Sequence, residues 1–487
     1  MSESRCPLHI EQNTGRSRVV VVGCGFGGLA FCKRFKGDAD VVVLDRQNHH
    51  LFQPLLYQVA MAGLSGPDIA APVRSIFRGR KNVETHLAEV ESVDLDRKSV
   101  RVEGGALRYD HLVFAAGGKT NYFGNEQWRG QALGLKTLED AIAIRRRVLT
   151  SFERAESNPD PDETRRLMTI VVVGGGPTGV ELAGAMAELA KRVFRGDFRH
   201  IEPGQARVIL VEGSDRVLGM YPPQRSAEAK RQLESLGVEV QLGKLVTEVH
   251  DDRVVLSDGQ CIETRNMLWG TGVVASDVVE SFGDVPRDKS NRVRVEPDLS
   301  IPGYPDAFVI GDAAAVTQRD GTPVPGLAPA AMQMGKYVAD RLTTTLAGKP
   351  PPSRLRRFDY TDKGAMATIG RTKAVAQIRR LGFSGLPAWL LWVTIHLFFL
   401  VSFRNKLIVF IKWVAAYYQY QRGARIIYNP QPYDEADVLH DAPSDRDASP
   451  AQQTDDRDAS SKPDRPGIEA EAPRPAPRPA GPVAHPT

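Results

Sequence analysis

The 487-residue sequence is poor in cysteine and in patterned metal ligands. Its four cysteines are Cys6, Cys24, Cys32 and Cys261, and no two of them form a C-x-x-C pair or a zinc-like spacing. Disulfide scaffolds, zinc sites and dithiol redox couples need such patterns, so these classes are excluded and a reduced, cytosolic compartment is expected. No metal is expected.

Acidic residues are absent from one long stretch of the chain. Residues 363–433 contain ten Lys or Arg and no Asp or Glu, whereas residues 434–487 carry twelve acidic and six basic residues, a net charge of −6. Since the whole chain carries +4, the residues before 363 are neutral, and one block of 71 residues holds all the positive charge. Such a block indicates an anionic surface as a partner.

Long hydrophobic runs are also missing. The longest, residues 388–403, would form a helix of about 24 Å, which is short of the roughly 30 Å hydrocarbon core of a bilayer. Aromatic, basic and apolar residues then alternate up to residue 420, which predicts helices lying in a bilayer interface. A buried core helix, a dimer interface and a single transmembrane span remain alternatives. Nucleic acid is disfavoured as a partner, because the basic residues are embedded in apolar sequence.

Two glycine-rich motifs each follow a short apolar strand. The first is Gly23-Cys24-Gly25-Phe26-Gly27-Gly28, and the second spans residues 174–179. In G-x-G-x-x-G the first glycine permits a tight turn, the second lets the backbone approach a pyrophosphate, and the third packs a helix on the strand. The unpaired N–H groups at the helix start then face the phosphates.

An acidic residue ends the next strand in both units. Asp45 lies 22 residues after Gly23, and Glu212 lies 38 residues after Gly174. A carboxylate at this position accepts hydrogen bonds from ribose hydroxyls and repels a 2′-phosphate, so NADH is predicted in the second unit rather than NADPH.

Two dinucleotide sites in one chain indicate two nucleotides whose reactive ends meet, one flavin and one nicotinamide. A hydride relay between them needs no nucleophilic side chain. The sequence contains no G-x-S-x-G, no H-E-x-x-H and no convincing catalytic triad that would indicate a competing chemistry.

Several further motifs resemble one family. They are residues 49–60 (HHLFQPLLYQVA), residues 121–124 (NYFG), residues 174–181, residues 310–312 and residues 389–423. Over about residues 18–428, the chain is similar to the type II, non-proton-pumping NADH:quinone oxidoreductases of the two-dinucleotide-binding flavoprotein superfamily. The resemblance implies FAD at the first motif, NADH at the second and a membrane quinone as electron acceptor. It also implies a homodimer, bound peripherally to anionic lipid at the cytoplasmic face of a bacterial inner membrane.

The implied fold class is α/β, with two Rossmann-like dinucleotide-binding domains, the second inserted in the first, and a C-terminal membrane-associating helical region. Six segments are expected: a disordered lead at 1–17, the first part of the FAD domain at 18–120, the NADH domain at 121–285, the second part of the FAD domain at 286–349, the C-terminal domain at 350–428, and a disordered Pro/Asp-rich tail at 429–487.

The resemblance also implies a set of site residues. The expected cofactor-binding residues are Gly23, Gly25, Gly28, Asp45, Ala116, Gly117, Asp312, Gly174, Gly176, Gly179, Glu212 and Gly272. The expected catalytic residues are Glu181, Gln333, Gln53 and Tyr57.

Each of these catalytic assignments has an ordinary structural alternative. Glu181 either complements its helix dipole or relays protons to the quinone. Gln53 and Tyr57 either form a packed corner or lie near the isoalloxazine. Pro329 stands where the family has the first glutamine of A-Q-x-x-x-Q, which leaves Gln333 as the remaining amide beside the quinone.

Two rival functions remain open. A sulfide:quinone reductase would need reactive cysteines near the flavin. A non-enzymatic NADH-sensing flavoprotein would bind the same nucleotides without rapid turnover.

Overall fold

The computed structural model describes residues 15–419 and 424–427. The predicted tail, residues 429–487, lies outside the described residues, as do residues 1–14 of the predicted lead.

The first large sheet has six strands and is buried on both faces. Its strands run in the order Ser300–Ile301, Tyr304–Val309, His111–Phe114, Ser17–Val22, Ala39–Asp45 and Val83–Leu87. All neighbours are parallel except the hairpin formed by the first two strands. Because both faces of the sheet are covered, its strands are continuously apolar, as in Val19–Val22.

Two helices, Phe26–Arg34 and Ala328–Leu346, pack closely on one face of this sheet. Gly335 lies so near the backbone of the first helix that a Cβ there would overlap the carbonyl oxygen of Gly27. The long helix near the C-terminal end of the unit is thereby fixed against the first glycine-rich motif.

The second large sheet is entirely parallel and is inserted into the first unit. Its strands run in the order Ala132–Gly134, Asn266–Trp269, Thr169–Val173, Arg207–Glu212 and Val238–Leu242. The accompanying helices are Leu138–Ser157, Pro161–Leu167, Pro177–Glu188 and Pro223–Ser235. The two crossings between the sheets, Gly118–Thr120 and Val273–Ala275, pair with each other in antiparallel fashion. The predicted α/β fold with an inserted Rossmann-like unit is confirmed.

Smaller elements complete the described body. Two three-stranded antiparallel sheets consist of Val90–Asp94, Ser99–Val102 and Gly105–Arg108, and of Val246–Val249, Arg253–Leu256 and Cys261–Glu263. Two strand pairs join His49–Leu51 to Ala70–Pro72 and Val293–Arg294 to Ala314–Ala315. The short α-helices are Leu56–Ala60, Gly66–Ile69 and Val73–Ile76. Turns of 3₁₀ helix lie at Gln53–Leu55, Glu126–Arg129, Pro203–Gln205, Asp277–Phe282, Gly311–Ala313 and Ser353–Leu355, and one π-helical turn lies at Leu189–Val193.

The C-terminal region adds an antiparallel sheet and two helices. The strands are Ala365–Gly370, Lys373–Ile378 and Leu381–Ser384, and the helices are Leu386–Phe399 and Phe403–Gln419. The apolar run from residue 388 to residue 403 is therefore not one helix. Leu400 takes an extended backbone (φ −59°, ψ 133°) and buries its side chain, so the chain turns there. Among the described residues, none of the helices has both the length and the apolar character that crossing a bilayer requires.

Candidate functional site

The first glycine-rich motif forms an open cradle at the carboxyl edge of the first sheet. Gly23 has a positive φ of +91°, and a Cβ on Gly28 would overlap the carbonyl oxygen of Gly23. Gly25 differs, because no atom of the described residues lies within 4 Å of the position its Cβ would take. The outer two glycines therefore serve the turn and the packing, and Gly25 leaves space for a phosphate at the start of helix Phe26–Arg34.

The second motif repeats this geometry on the second sheet. Gly174 has a φ of +103°, and a Cβ on Gly179 would overlap the Gly174 carbonyl oxygen. A Cβ on Gly176 would again find no described atom within 4 Å. Both cradles thus fit the pyrophosphate of a dinucleotide.

The acidic residue of each unit is held beside its own cradle. Asp45 accepts hydrogen bonds from the backbone N–H groups of Cys24 and Gln47, and burial raises the pKa of its carboxyl. Glu212 accepts hydrogen bonds from the N–H of Gly175 and, at 2.7 Å, from that of Ser214. Both carboxylates therefore lie where a ribose bound next to the pyrophosphate would present its hydroxyls.

Other residues expected to bind FAD cluster at the same edge of the first sheet. Ala116 and Gly117 follow strand His111–Phe114, and Gly117 has a φ of +70°. Asp312 follows strand Tyr304–Val309, and its carboxylate lies 3.7 Å from the Nζ of Lys136. These positions meet because the strands that carry them are neighbours in one parallel sheet.

Gly272 follows the last strand of the second sheet, Asn266–Trp269. It has a φ of +72°, and a Cβ there would lie 2.9 Å from the carbonyl oxygen of Asn121. Glycine is therefore required for backbone conformation and for packing, whatever ligand lies nearby.

A separate cavity of about 140 Å³ lies between helix Pro177–Glu188, the short helix Leu56–Ala60 and the C-terminal region. Aromatic and aliphatic side chains make up most of its wall, as expected of a pocket for an apolar ring. The lining residues are Tyr57, Gln58, Met61, Gly63, Glu181, Ala185, Glu188, Arg192, Val193, Thr368, Ile369, Gly370, Arg371, Trp389, Trp392, Val393 and Trp413.

Glu181 is an acidic residue in the wall of this cavity. Desolvation by the surrounding protein raises the pKa of its carboxyl well above the usual value, and a hydrogen bond from the Thr368 backbone opposes this only in part. Glu181 is the fifth residue of its helix, beyond the first turn in which the helix dipole is strongest. The cavity position favours the proton-relay interpretation over the dipole interpretation, because a protonated carboxyl beside a bound ligand can donate its proton.

Tyr57 joins the cavity to the C-terminal helices. Its hydroxyl oxygen accepts a hydrogen bond of 2.7 Å from the side-chain nitrogen of Gln58. The side-chain oxygen of Gln58 accepts another, of 2.9 Å, from the indole N–H of Trp413. Gln53 is exposed and donates to the carbonyl oxygen of Lys136 at 3.1 Å, away from the cavity wall.

Gln333 lies elsewhere and its amide is already engaged. Its nitrogen donates to the carbonyl oxygen of Thr361 and its oxygen accepts from the Thr361 N–H, both at 3.0 Å. The structure therefore brings Glu181 and Tyr57 together in one cavity but leaves Gln333 and Gln53 outside its lining. Direct contact of Gln333 with a quinone stays a prediction.

Several wall residues were missed by the sequence interpretation. Gln58, Thr368, Trp392 and Trp413 line the cavity, although Gln58 lies about 300 residues before the other three in the sequence. Gln58 lies inside the HHLFQPLLYQVA motif, and Trp392 and Trp413 lie inside the motif at residues 389–423, but neither motif showed that these side chains line one cavity. The pairing of Gln58 with Trp413 had no signal in the sequence.

The described cysteines do not form a reactive centre. Burial raises the pKa of the Cys32 thiol to about 12 and raises that of Cys24 well above its ordinary value. Cys261 is exposed on the hairpin strand Cys261–Glu263. Because thiolates are the reactive form, this arrangement disfavours sulfide chemistry. Within residues 15–419 and 424–427, no group of three or more His, Cys, Asp or Glu is placed to hold a metal ion.

Comparison with known proteins supports this geometry. Residues 17–335 match the pyridine nucleotide-disulphide oxidoreductase family, and residues 363–418 match the NDH2 C-terminal domain. The type II NADH:quinone oxidoreductase Ndh of Mycobacterium tuberculosis is 42% identical over 430 residues, which cover 86% of this chain and 92% of the relative. The chain belongs to the type II NADH:quinone oxidoreductases.

Solved structures agree at the level of the fold. The NDH2 structure from Plasmodium falciparum in complex with NADH superimposes with a TM-score of 0.77 at 18% identity, covering 85% of this chain and all of that one. The sulfide:quinone oxidoreductase of Aquifex aeolicus gives a TM-score of 0.61 at 19% identity, covering 83% of this chain and 95% of that one.

Membership of this family confirms several predictions at once. The family, the enzyme class and the two cofactors, FAD and NADH, are those that the sequence indicated. Oxidation of NADH with a quinone as acceptor is favoured over both the sulfide:quinone reductase and the NADH-sensing flavoprotein.

Proposed function

We propose that the protein oxidises NADH at the second cradle and reduces a membrane quinone in the Glu181 cavity, at a bilayer surface and without pumping protons. The observation that carries the proposal is this cavity, since it joins the two-cradle body to the C-terminal helices. An apolar quinone ring fits aromatic and aliphatic walls, and a quinone needs a proton source as well as electrons.

The cofactors would be held by the residues already described. Gly25, Asp45 and Asp312 would bind FAD, and Gly176 and Glu212 would bind NADH. FAD when bound supplies the two-electron chemistry between the two substrates. The chain itself contributes binding, orientation and protons.

Glu181 would hold a proton for the quinone. Desolvation raises the pKa of this carboxyl well above the usual value and so favours its protonated form. A carboxyl that can give up a proton near neutral pH is the usual general acid in such a site.

The described part of the C-terminal region, mainly its two helices, presents an unusual apolar surface. The exposed large side chains of this surface are Leu381, Leu386, Leu390, Phe398, Phe399, Phe403, Leu407, Phe410, Ile411, Val414 and Ile426. Phe398 is 71% exposed and Phe403 is 80% exposed. Contiguous exposed apolar side chains in a soluble body mark an interaction surface, and with basic neighbours they favour an anionic bilayer.

Polar contacts hold the second C-terminal helix against the body from its other side. Lys412 forms an ion pair of 2.6 Å with the buried carboxylate of Asp68, and Asn405 donates to the carbonyl oxygens of Pro67 and Ala70. These contacts leave the apolar residues outward. The proposal therefore includes peripheral attachment to the cytoplasmic face of a bacterial inner membrane. A homodimer is also part of it, to be checked by light scattering of detergent-solubilised protein.

The two half-reactions test the catalytic part. NADH should bleach the flavin absorbance of the anaerobic protein within the turnover time, and a quinone added afterwards should restore it. If NADH reduces the flavin but no quinone reoxidises it at a comparable rate, the result would favour a non-enzymatic NADH-sensing flavoprotein and contradict the proposed quinone reduction.

Vesicle flotation tests the membrane part. Phe398→Ser combined with Phe403→Ser should weaken binding to anionic vesicles, because two exposed aromatic side chains are lost. Leu87→Ser is the matched control, since Leu87 is 65% exposed but lies on the first sheet. Equal flotation of the double variant and the control would contradict the proposed surface.

A further inference from the structure

The net reaction of the proposed function consumes one proton from solution. NADH, quinone and one proton give NAD⁺ and hydroquinone; the hydride supplies two electrons and one proton, and water must supply the other proton. Glu181 can hold that proton, but after each turnover it must be reprotonated through the protein. The structure contains a specific candidate for this route.

One face of the Glu181 helix carries ionisable groups along the cavity wall. Glu181, Ala185, Glu188 and Arg192 follow at intervals of four, three and four residues, and all four line the cavity. Such intervals place side chains on one face of a helix. Glu188 lies two turns from Glu181, about 10 Å along the axis at roughly 1.5 Å per residue.

The backbone widens where this row ends. Helix Pro177–Glu188 passes directly into the π-helical turn Leu189–Val193, which contributes Arg192 and Val193 to the wall. Single π-helical turns within helices occur frequently at functional sites. Here the turn brings a basic side chain to the end of the cavity opposite Glu181 along the helix.

Glu188 also contacts the C-terminal hairpin. Its carboxylate accepts the backbone N–H of Arg371, and its Oε1 would lie 2.8 Å from a Cβ on Gly370. Glu188 therefore has a structural role, since it fixes the hairpin turn against the helix. This hydrogen bond alone does not show that Glu188 also carries protons, but a substitution that keeps the hydrogen bond can separate the two roles.

The charged and titratable groups around the cavity are few. They are Tyr57 from the short helix Leu56–Ala60, Glu181 and Glu188 from helix Pro177–Glu188, Arg192 from the π-helical turn and Arg371 from the hairpin. Tyr221 is close enough to interact electrostatically with Glu181. The described C-terminal helices contribute Trp389, Trp392, Val393 and Trp413 to the wall. Of the two acidic residues in this wall, Glu188 is the one at the end of the cavity where Arg192 and Arg371 lie.

We propose that Glu188, beside Arg192 and Arg371, takes up protons from solution and passes them through water in the cavity to Glu181. This inference rests on the proposed function. A cavity of about 140 Å³ has room for several water molecules, and polar side chains at both ends offer them hydrogen-bond partners.

The decisive variant is Glu188→Gln. A glutamine carbonyl oxygen still accepts the Arg371 N–H and keeps the brace, but it cannot carry a proton. Stopped-flow measurement should show NADH reducing the flavin at the wild-type rate. Steady-state turnover with quinone, which needs Glu181 to be reprotonated in every cycle, should be about tenfold slower. This loss is smaller than the roughly 10²–10⁴-fold typical of removing a direct general acid. The defect should grow with pH, because solution protons become scarcer.

Two further measurements complete the test. Glu188→Asp retains an acid and should recover most of the rate, and a small diffusible weak acid should partly rescue Glu188→Gln. Glu234→Gln is the control, because Glu234 is a surface acid paired with Lys230 outside the cavity wall. This substitution should leave both flavin reduction and steady-state quinone turnover unchanged.

Steady-state quinone turnover by Glu188→Gln that matches the wild type across the pH range would overturn the inference while leaving the proposed function intact. Failure of the wild type itself to reduce any quinone would instead reject the proposed function. If Glu188→Gln does not fold, the pH profile of Glu188→Asp decides: an altered profile supports the relay, and an unaltered one rejects it.

Discussion

The middle glycine of each cradle offers a sharp test of which nucleotide binds where. Gly176 has a φ of −69° and a ψ of 179°, which any residue can adopt, and its Cβ would meet no atom of residues 15–419 or 424–427 within 4 Å. Substitution should therefore cost the fold little, about 1 kcal/mol or less for changing an N-cap glycine. The added atoms would instead occupy the space left for the NADH pyrophosphate.

The expected effect is graded with side-chain size. We expect Gly176→Ala to lower kcat/KM for NADH about tenfold and Gly176→Val to lower it about 100-fold, equivalent to about 1.4 and 2.8 kcal/mol. FAD content should stay at the wild-type level in both. Gly25 is the matched position on the first cradle, with similarly open surroundings, so Gly25→Val should instead lose FAD.

Three measurements decide the outcome: flavin absorbance of the purified protein, the rate of flavin reduction against NADH concentration, and the melting temperature. Gly179→Ala is the contrasting variant, since its Cβ would overlap the Gly174 carbonyl oxygen and should destabilise the fold itself. Loss of FAD from Gly176→Val at an unchanged melting temperature would refute the assignment of the two cradles. Wild-type NADH kinetics in Gly176→Val would refute the phosphate position.

Three more outcomes are expected. Glu181→Gln should raise the melting temperature near neutral pH but not at about pH 4, because the folded protein holds a proton that the unfolded chain releases as the pH rises above the ordinary glutamate pKa. Calorimetry at both pH values checks this, and equal shifts of the melting temperature at the two pH values would contradict it. Gly184→Ala should destabilise by roughly 1–3 kcal/mol in denaturant titration, because its Cβ would overlap the Ile369 carbonyl oxygen, whereas an unchanged midpoint would show that the hairpin can shift. Glu212→Ala should reduce the preference for NADH over NADPH in steady-state kinetics, and an unaltered ratio would remove Glu212 from nucleotide selection.

The two cradles could be predicted from sequence because their determinants are local. Gly23, Gly25 and Gly28 lie within six consecutive residues; Gly23 and Gly28 serve the turn and the packing, and Gly25 leaves space for the phosphate. Strand, turn, helix and acidic residue recur in the same order in the second unit. Local order of this kind indicated the α/β fold, the two nucleotides and the family.

The C-terminal helices were indicated by composition but not in detail. A block without acidic residues and rich in aromatic side chains predicted an apolar, basic surface, and the structure places such a surface there. Composition could not show that the run breaks at Leu400. That break depends on the core beneath, which buries the Leu400 side chain.

The cavity depended on tertiary structure alone. Tyr57, Glu181, Thr368 and Trp413 share one wall because Gly184 lets the helix touch the C-terminal hairpin and Gln58 bonds to the last described helix. Contacts between segments more than 100 residues apart leave no periodic or spaced pattern in a single sequence. Over a shorter separation, the sequence also contained no signal that the Gln333 amide is engaged by the Thr361 backbone 28 residues further along, because these two segments meet only in the folded chain. The local motifs of the sequence therefore determined which two nucleotides the chain binds. Only the packing of distant elements determined where a cavity for a quinone could form.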